Sequence, residues 1–104
     1  MMEMFFKPQS VAVIGASTNP KKDGNLILQN ILDSDFAGSI YPVNPGADEI
    51  LGLKAYPSVI AIPDPVDLAV LIVPAEACVQ AMADCAAKGV KAVIIEAMGF
   101  AEVG

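Results

Sequence analysis

Apolar residues fall in short runs separated by Gly, Pro, Asn and Asp. Ser10–Ile14 is apolar from Val11 onward with no alternation, which predicts a strand buried on both faces. Asn25–Leu32 spaces Ile27, Leu28, Ile31 and Leu32 at helical intervals and predicts the first helix. Phe36-Ala37-Gly38 then turns the chain. Ser39–Val43 is a second strand, stopped by Asn44-Pro45-Gly46. Glu49–Tyr56 is ambiguous: Ile50, Leu51, Leu53 and Tyr56 fit a short third strand after a turn at Gly52. Pro57–Ile62 fits one helical turn bounded by Pro63 and Pro65. Asp67–Val73 is the clearest strand and ends at Pro74. In the helix predicted over Ala75–Lys88, Cys78, Val79, Met82, Cys85 and Ala86 form the expected buried stripe. Glu76, Gln80, Asp84 and Lys88 lie opposite, with Asp84 spaced to pair with Lys88. Gly89 suits the helix stop. Val90–Ile95 is the last strand, and residues 96–104 read as a loop.

Strands alternating with helices predict an α/β fold of Rossmann type, one domain over residues 1–104. The expected sheet is parallel, in strand order 3-2-1-4-5, with helices on both faces. A ligand then belongs at the carboxyl ends of the strands. Those ends carry Gly15-Ala16-Ser17, Val43-Asn44-Pro45, Val73-Pro74 and Glu96-Ala97-Met98-Gly99. They offer backbone and small side chains, which suit a flat ring and a slim arm.

Composition narrows the chemistry. No apolar run reaches the length of a membrane span, and Met1–Phe6 lacks the pattern of a signal peptide. A cytoplasmic chain is expected. Twelve acids against six lysines give a net charge of −6, which argues against nucleic acid and anionic membrane as partners. Cys78 and Cys85 sit about 10 Å apart along one helix, too far for a disulfide. The absence of histidine removes His-based acid–base catalysis and His metal sites.

That charge balance makes Lys21 and Lys22 informative, since they are a third of the positive charge and lie in one polar loop. The loop runs from Gly15 through Ala16, Ser17 and Thr18 to Gly24, between a buried strand and a helix. Such a loop binds phosphate: small residues admit the anion and the helix offers its free N–H groups. Gly15 is expected where any β-carbon would intrude on the ligand, and Gly24 where the helix opens. A NAD site expects an acid at the end of the second strand, but that segment reads Tyr41-Pro42-Val43-Asn44-Pro45. After Gly15 the next glycine is Gly24, so G-x-G-x-x-G is absent, as is the Walker pattern. A NAD(P)-binding domain is thus disfavoured but open.

The ordered series of motifs resembles the N-terminal CoA-binding domain of NDP-forming (ADP-forming) acyl-CoA synthetases, relatives of the succinyl-CoA synthetase α subunit. It comprises residues 6–17, Gly24-Asn25, Ile40–Pro45, Glu49–Lys54, Tyr56–Val59, Asp67–Val70, Val73-Pro74, Lys88–Ala92 and Gly99-Phe100.

The resemblance implies coenzyme A as the ligand. Gly15, Ala16, Ser17, Thr18 and Gly24 would wrap its phosphates, with Lys21 and Lys22 neutralising them. Val43, Asn44, Pro45, Val73 and Pro74 would form the adenosine side. The loop after the last strand would guide pantetheine. Gly46-Ala47 stand where the family often has a lysine, and Met98 where it has small residues. The family's reaction passes through an acyl phosphate and a phosphohistidine, which a chain without histidine does not supply. The chain is therefore expected to be a binding domain of a larger synthetase, partnered by its other domains or subunit. The alternative is a non-catalytic CoA-sensing module, alone or fused to a protein acetyltransferase.

Overall fold

The structure, a computed structural model, describes residues 7–96. Strand β1 (Ser10–Ile14) leads into helix α1 (Asp23–Asp33) and strand β2 (Ser39–Val43). A two-stranded hairpin follows, β3 (Glu49–Ile50) and β4 (Leu53–Lys54), then a 3₁₀ turn at Val59–Ala61. Strand β5 (Leu68–Leu71), helix α2 (Ala75–Lys88) and strand β6 (Ala92–Ile95) complete it.

The main sheet is parallel, in the order β2-β1-β5-β6. β1 is central and buried along its whole length, as its unbroken apolar run requires. Its alternate residues serve two cores. Ala12 and Ile14 join Ala69 and Leu71 of β5 beneath Ala81 and Cys85 of α2. Val11 and Val13 join Val70 and Ile72 beneath Leu28 of α1. One helix therefore covers each face, which makes β1 and β5 the neighbours between which the connections diverge.

The expected third strand at the edge of the sheet is not there, so the order 3-2-1-4-5 does not hold. Leu51 and Gly52 both take positive φ, 52° and 81°, and fold the segment back on itself. Glu49 pairs with Lys54 and Ile50 with Leu53, in an antiparallel hairpin outside the main sheet. On the outer edge of β2 the ladder is one residue long. Tyr56 donates to Pro42 O and accepts from Asn44 N, a single parallel bridge beside Val43. Pro57 follows, lacks an N–H, and cannot continue the ladder.

The buried stripe of α2 is also rotated from its expected position. Cys85 is buried as expected and Cys78 partly so, but Ala81 joins them, while Val79 is 78% exposed and Met82 and Ala86 also face outward. Lys88 does not pair with Asp84; its ammonium donates to the Ile62 carbonyl. In α1, Leu28 is fully buried and Leu32 is exposed. At the amino ends of the strands, the Asp67 carboxylate accepts from Gln9 N at 2.7 Å and faces Lys91 Nζ at 3.5 Å. The Asp67 carbonyl accepts from the N–H groups of Lys91 and Ala92. Asp67 thus fastens β1, β5 and β6 at the end opposite the ligand edge. No helix among the described residues is long and apolar enough to cross a membrane.

Candidate functional site

A cavity of about 530 Å³ opens at the carboxyl ends of the strands. That volume lies within the range of small-molecule sites. Gly15, Ala16, Ser17, Lys22 and Gly24 line it from the loop after β1. Val43, Asn44 and Pro45 line it from the end of β2, and Val73 and Pro74 from the end of β5. The structure therefore brings together nearly every residue the sequence nominated. Thr18 and Lys21 are the exceptions: they lie on the exposed outer side of the loop and do not reach the cavity. Met98 and the loop 97–104, expected to guide a pantetheine arm, lie outside the described residues.

The loop is held by two asparagines. Asn25, only 2% exposed, donates from Nδ2 to Ser17 O at 2.8 Å. Asn44 donates from Nδ2 to Ala16 O, also at 2.8 Å, and its Oδ1 accepts from Gly46 N. The carbonyls of the loop are thereby drawn into the protein. The N–H groups of Ala16, Ser17, Asp23 and Gly24 find no acceptor among the described residues. At the N-cap of α1 stands Lys22, which has no acceptor to offer, so its first turn remains uncapped. Pro74 holds the same position on α2, also without a side-chain cap. Two uncapped helix N-termini thus meet at one cavity, and each favours negative charge.

The glycines serve the protein before they serve a ligand. Gly15 has φ +101°, and a β-carbon there would stand 2.0 Å from the Ile72 carbonyl oxygen. A β-carbon on Gly24 would stand 2.0 Å from the Gly15 carbonyl oxygen. The expectation that Gly15 clears space only for the ligand is therefore corrected: it lets β1 and β5 approach. Close packing then brings the first turn of α1 onto the loop.

Several lining residues were not nominated by the sequence. Pro57, Ser58 and Val59 form a wall beyond β2, and Ala77, Gln80, Ala81 and Asp84 line the cavity from α2. Helical periodicity places Gln80 and Asp84 on the solvent side, and Gln80 is exposed and Asp84 partly so; both also edge the cavity. Asp48, the first acid after β2, is exposed and outside the cavity. No cluster of potential metal ligands occurs among the described residues. Burial pushes the Cys85 thiol above its usual range, so it is packing and not a ready nucleophile.

Residues 9–102 match the family described as the CoA binding domain. The chain is 52% identical over 99 residues to an ADP-forming acetate–CoA ligase of Archaeoglobus fulgidus, covering 95% of this chain and 15% of that protein. It is similar to the solved dinucleotide-forming acetyl-coenzyme A synthetase 1 of Ca. Korarchaeum cryptofilum, in complex with phosphate and ADP. There the TM-score is 0.88 at 47% identity, over 95% of this chain and 21% of that one. It also resembles a solved conserved hypothetical protein of Pyrococcus furiosus, with TM-score 0.76 and 39% identity. That likeness covers 85% of this chain and 74% of the other. The chain spans 14–23% of the length of the curated ADP-forming acetate–CoA ligases it matches.

Proposed function

Because this chain belongs to the CoA-binding domain family, we propose that the cavity at the strand ends binds coenzyme A for an ADP-forming acyl-CoA synthetase. The observation that carries the site is the meeting of unpaired N–H groups, two uncapped helix N-termini and Lys22 on one cavity. That arrangement suits phosphates held by backbone and by one cation. Gly15, Ala16, Ser17 and Gly24 form the cradle, and Lys22 supplies charge. Thr18 and Lys21 act at the outer rim, where a long anionic ligand leaves the cavity. Val43, Asn44 and Pro45, opposite Val73 and Pro74, hold the adenosine part. Coenzyme A is a substrate here, and the chain's work is to bind and orient it.

The synthetase assignment follows the ligases to which the chain is similar. Acid activation and phosphoryl transfer then belong to other domains or a partner subunit, consistent with a chain that has no histidine. A second reading is a CoA-sensing or carrier module without catalysis: this chain covers 74% of the solved protein of Pyrococcus furiosus, so a similar fold occurs in a chain not much longer than this one. Absence of an acid at the end of β2 and the exposure of Asp48 weigh against NAD.

Titration calorimetry with coenzyme A, dephospho-coenzyme A and NAD tests the ligand. Coenzyme A should bind most tightly, dephospho-coenzyme A more weakly and NAD weakest. Equal affinity for all three would sink the proposal.

A further inference from the structure

Helix α2 presents two different flanks. Val79, Met82 and Ala86 face away from the cavity, while Ala77, Gln80, Ala81 and Asp84 line it. The lining flank packs beside the Val59–Ala61 turn, on the β2 side of the helix and away from β6. Two of its residues are alanines, which leave room. The other two form a pair: Gln80 Nε2 donates to Asp84 Oδ1 at 2.9 Å. That bond uses one of the amide's two N–H donors and orients the carboxylate. What Asp84 then offers the cavity is its second carboxylate oxygen, an acceptor only, beside the remaining amide N–H and the carbonyl of Gln80.

Lys88, one turn along, is drawn to the Ile62 carbonyl instead of to Asp84. Among the described residues, Asp84 has no salt bridge. A partly exposed carboxylate without a cation disfavours phosphate at this wall, whereas Asp23, the other lining carboxylate, follows Lys22 at the N-terminus of α1. A neutral group that donates hydrogen bonds can lie against the Asp84 wall. The surrounding walls carry Pro45, Pro57 and Pro74, which make a slot with little polar competition.

We infer that Asp84, fixed by Gln80, reads the exocyclic amino group of the ligand's base. This rests on the coenzyme A proposal above. The ribose is a poorer fit, because its hydroxyl neighbours the 3′-phosphate. Pantetheine is also a poorer fit, because α2 packs on the 3₁₀ turn at Val59–Ala61, three residues beyond Tyr56, which bridges Val43 on the proposed adenosine side. The 6-amino group of adenine donates two hydrogen bonds and carries no charge. Asp84 therefore sets base specificity.

The test is calorimetry on the full 104-residue chain with coenzyme A and with its 6-deamino analogue, whose purine lacks the amino group. The wild-type chain should bind the analogue about tenfold more weakly, the loss expected for one hydrogen bond to a charged acceptor. Asp84→Ala should bind both ligands alike. Alanine favours the helix, so the variant should keep its fold. Equal affinities in the wild-type chain, or an unchanged ratio in Asp84→Ala, overturns the inference and leaves coenzyme A binding intact. Failure of the wild-type chain to bind coenzyme A at all overturns the site itself, and this inference with it.

Discussion

Gly24 rests on Gly15: a β-carbon at Gly24 would stand 2.0 Å from the Gly15 carbonyl oxygen. Gly15 in turn rests on the Ile72 carbonyl with φ +101°. One stack of backbone therefore joins β5, the turn after β1, and the first turn of α1. Side-chain movement cannot relieve the clash there, because the nearest opposing atoms at both positions are backbone. Gly24→Ala should cost about 1–3 kcal/mol, the scale of overpacking in a tight interior. Gly15→Val adds the strain of a β-branched residue at positive φ and should cost more. Urea unfolding monitored by circular dichroism checks both. A Gly15→Val chain as stable as the parent would mean that the turn tolerates a side chain.

Asn25 is the second fastening of the same turn. Its Nδ2 holds Ser17 O, and its Oδ1 accepts from Gln29 Nε2. Asn25→Ala leaves the Ser17 carbonyl without this buried donor. A loss of about 1–3 kcal/mol in folding stability is expected. Coenzyme A affinity should fall as well, because the carbonyl is then free to turn toward the phosphates. Unfolding and calorimetry on the same variant separate the two. Full affinity in a folded but destabilised variant would show that Asn25 serves only the fold.

At the far end of the sheet, Asp67 makes a pH-dependent tie. The Gln9 N–H on its carboxylate, with further help from Lys91, holds its pKa below the ordinary 3.8, against the opposing effect of burial. A carboxyl lowered in the folded state stabilises that state wherever it is ionised in both states. The contribution is complete above the ordinary value and is lost as pH falls through the lower folded one. The wild-type chain should therefore lose stability below about pH 4 more steeply than Asp67→Asn. Urea midpoints across the acid range give the two slopes, and parallel slopes would remove Asp67 from the account.

The sequence carried the parallel sheet and the ligand edge because both depend on strong local signals. An unbroken run such as Val11–Ile14 has no polar face to expose. Gly, Asn and Pro mark the strand ends wherever they fall. The edge strand was misjudged because its apolar residues do fit a strand. The reversal depends on positive φ at Leu51 as well as Gly52, which a leucine does not advertise. The face of α2 was misjudged because alanines weigh little in a hydrophobic pattern. Val79 and Met82 fit the stripe by spacing yet face outward, whereas Cys85 is buried as its spacing predicts and Ala81 packs beside it. Asp84 faces the cavity because of that rotation. Likewise, nothing local to Asn25 reveals that its amide reaches back eight residues to Ser17.

The two neighbouring lysines give the sharpest contrast. Lys22 is the N-cap of α1 and lines the cavity, whereas Lys21 lies outside it. Both carry the same charge, so a purely long-range attraction would treat them alike. A direct contact would not. Lys22→Ala should weaken coenzyme A by about 1–2 kcal/mol, the cost of one charge-assisted hydrogen bond. Lys21→Ala should cost no more than a few tenths of a kcal/mol, as for an exposed charge. Raising the salt concentration should shrink the smaller effect and leave most of the larger one, since screening acts chiefly on exposed charges. Calorimetry of both variants at low and high salt makes the comparison. Equal losses that vanish together in salt would mean that Lys22 attracts coenzyme A at a distance and does not touch its phosphates.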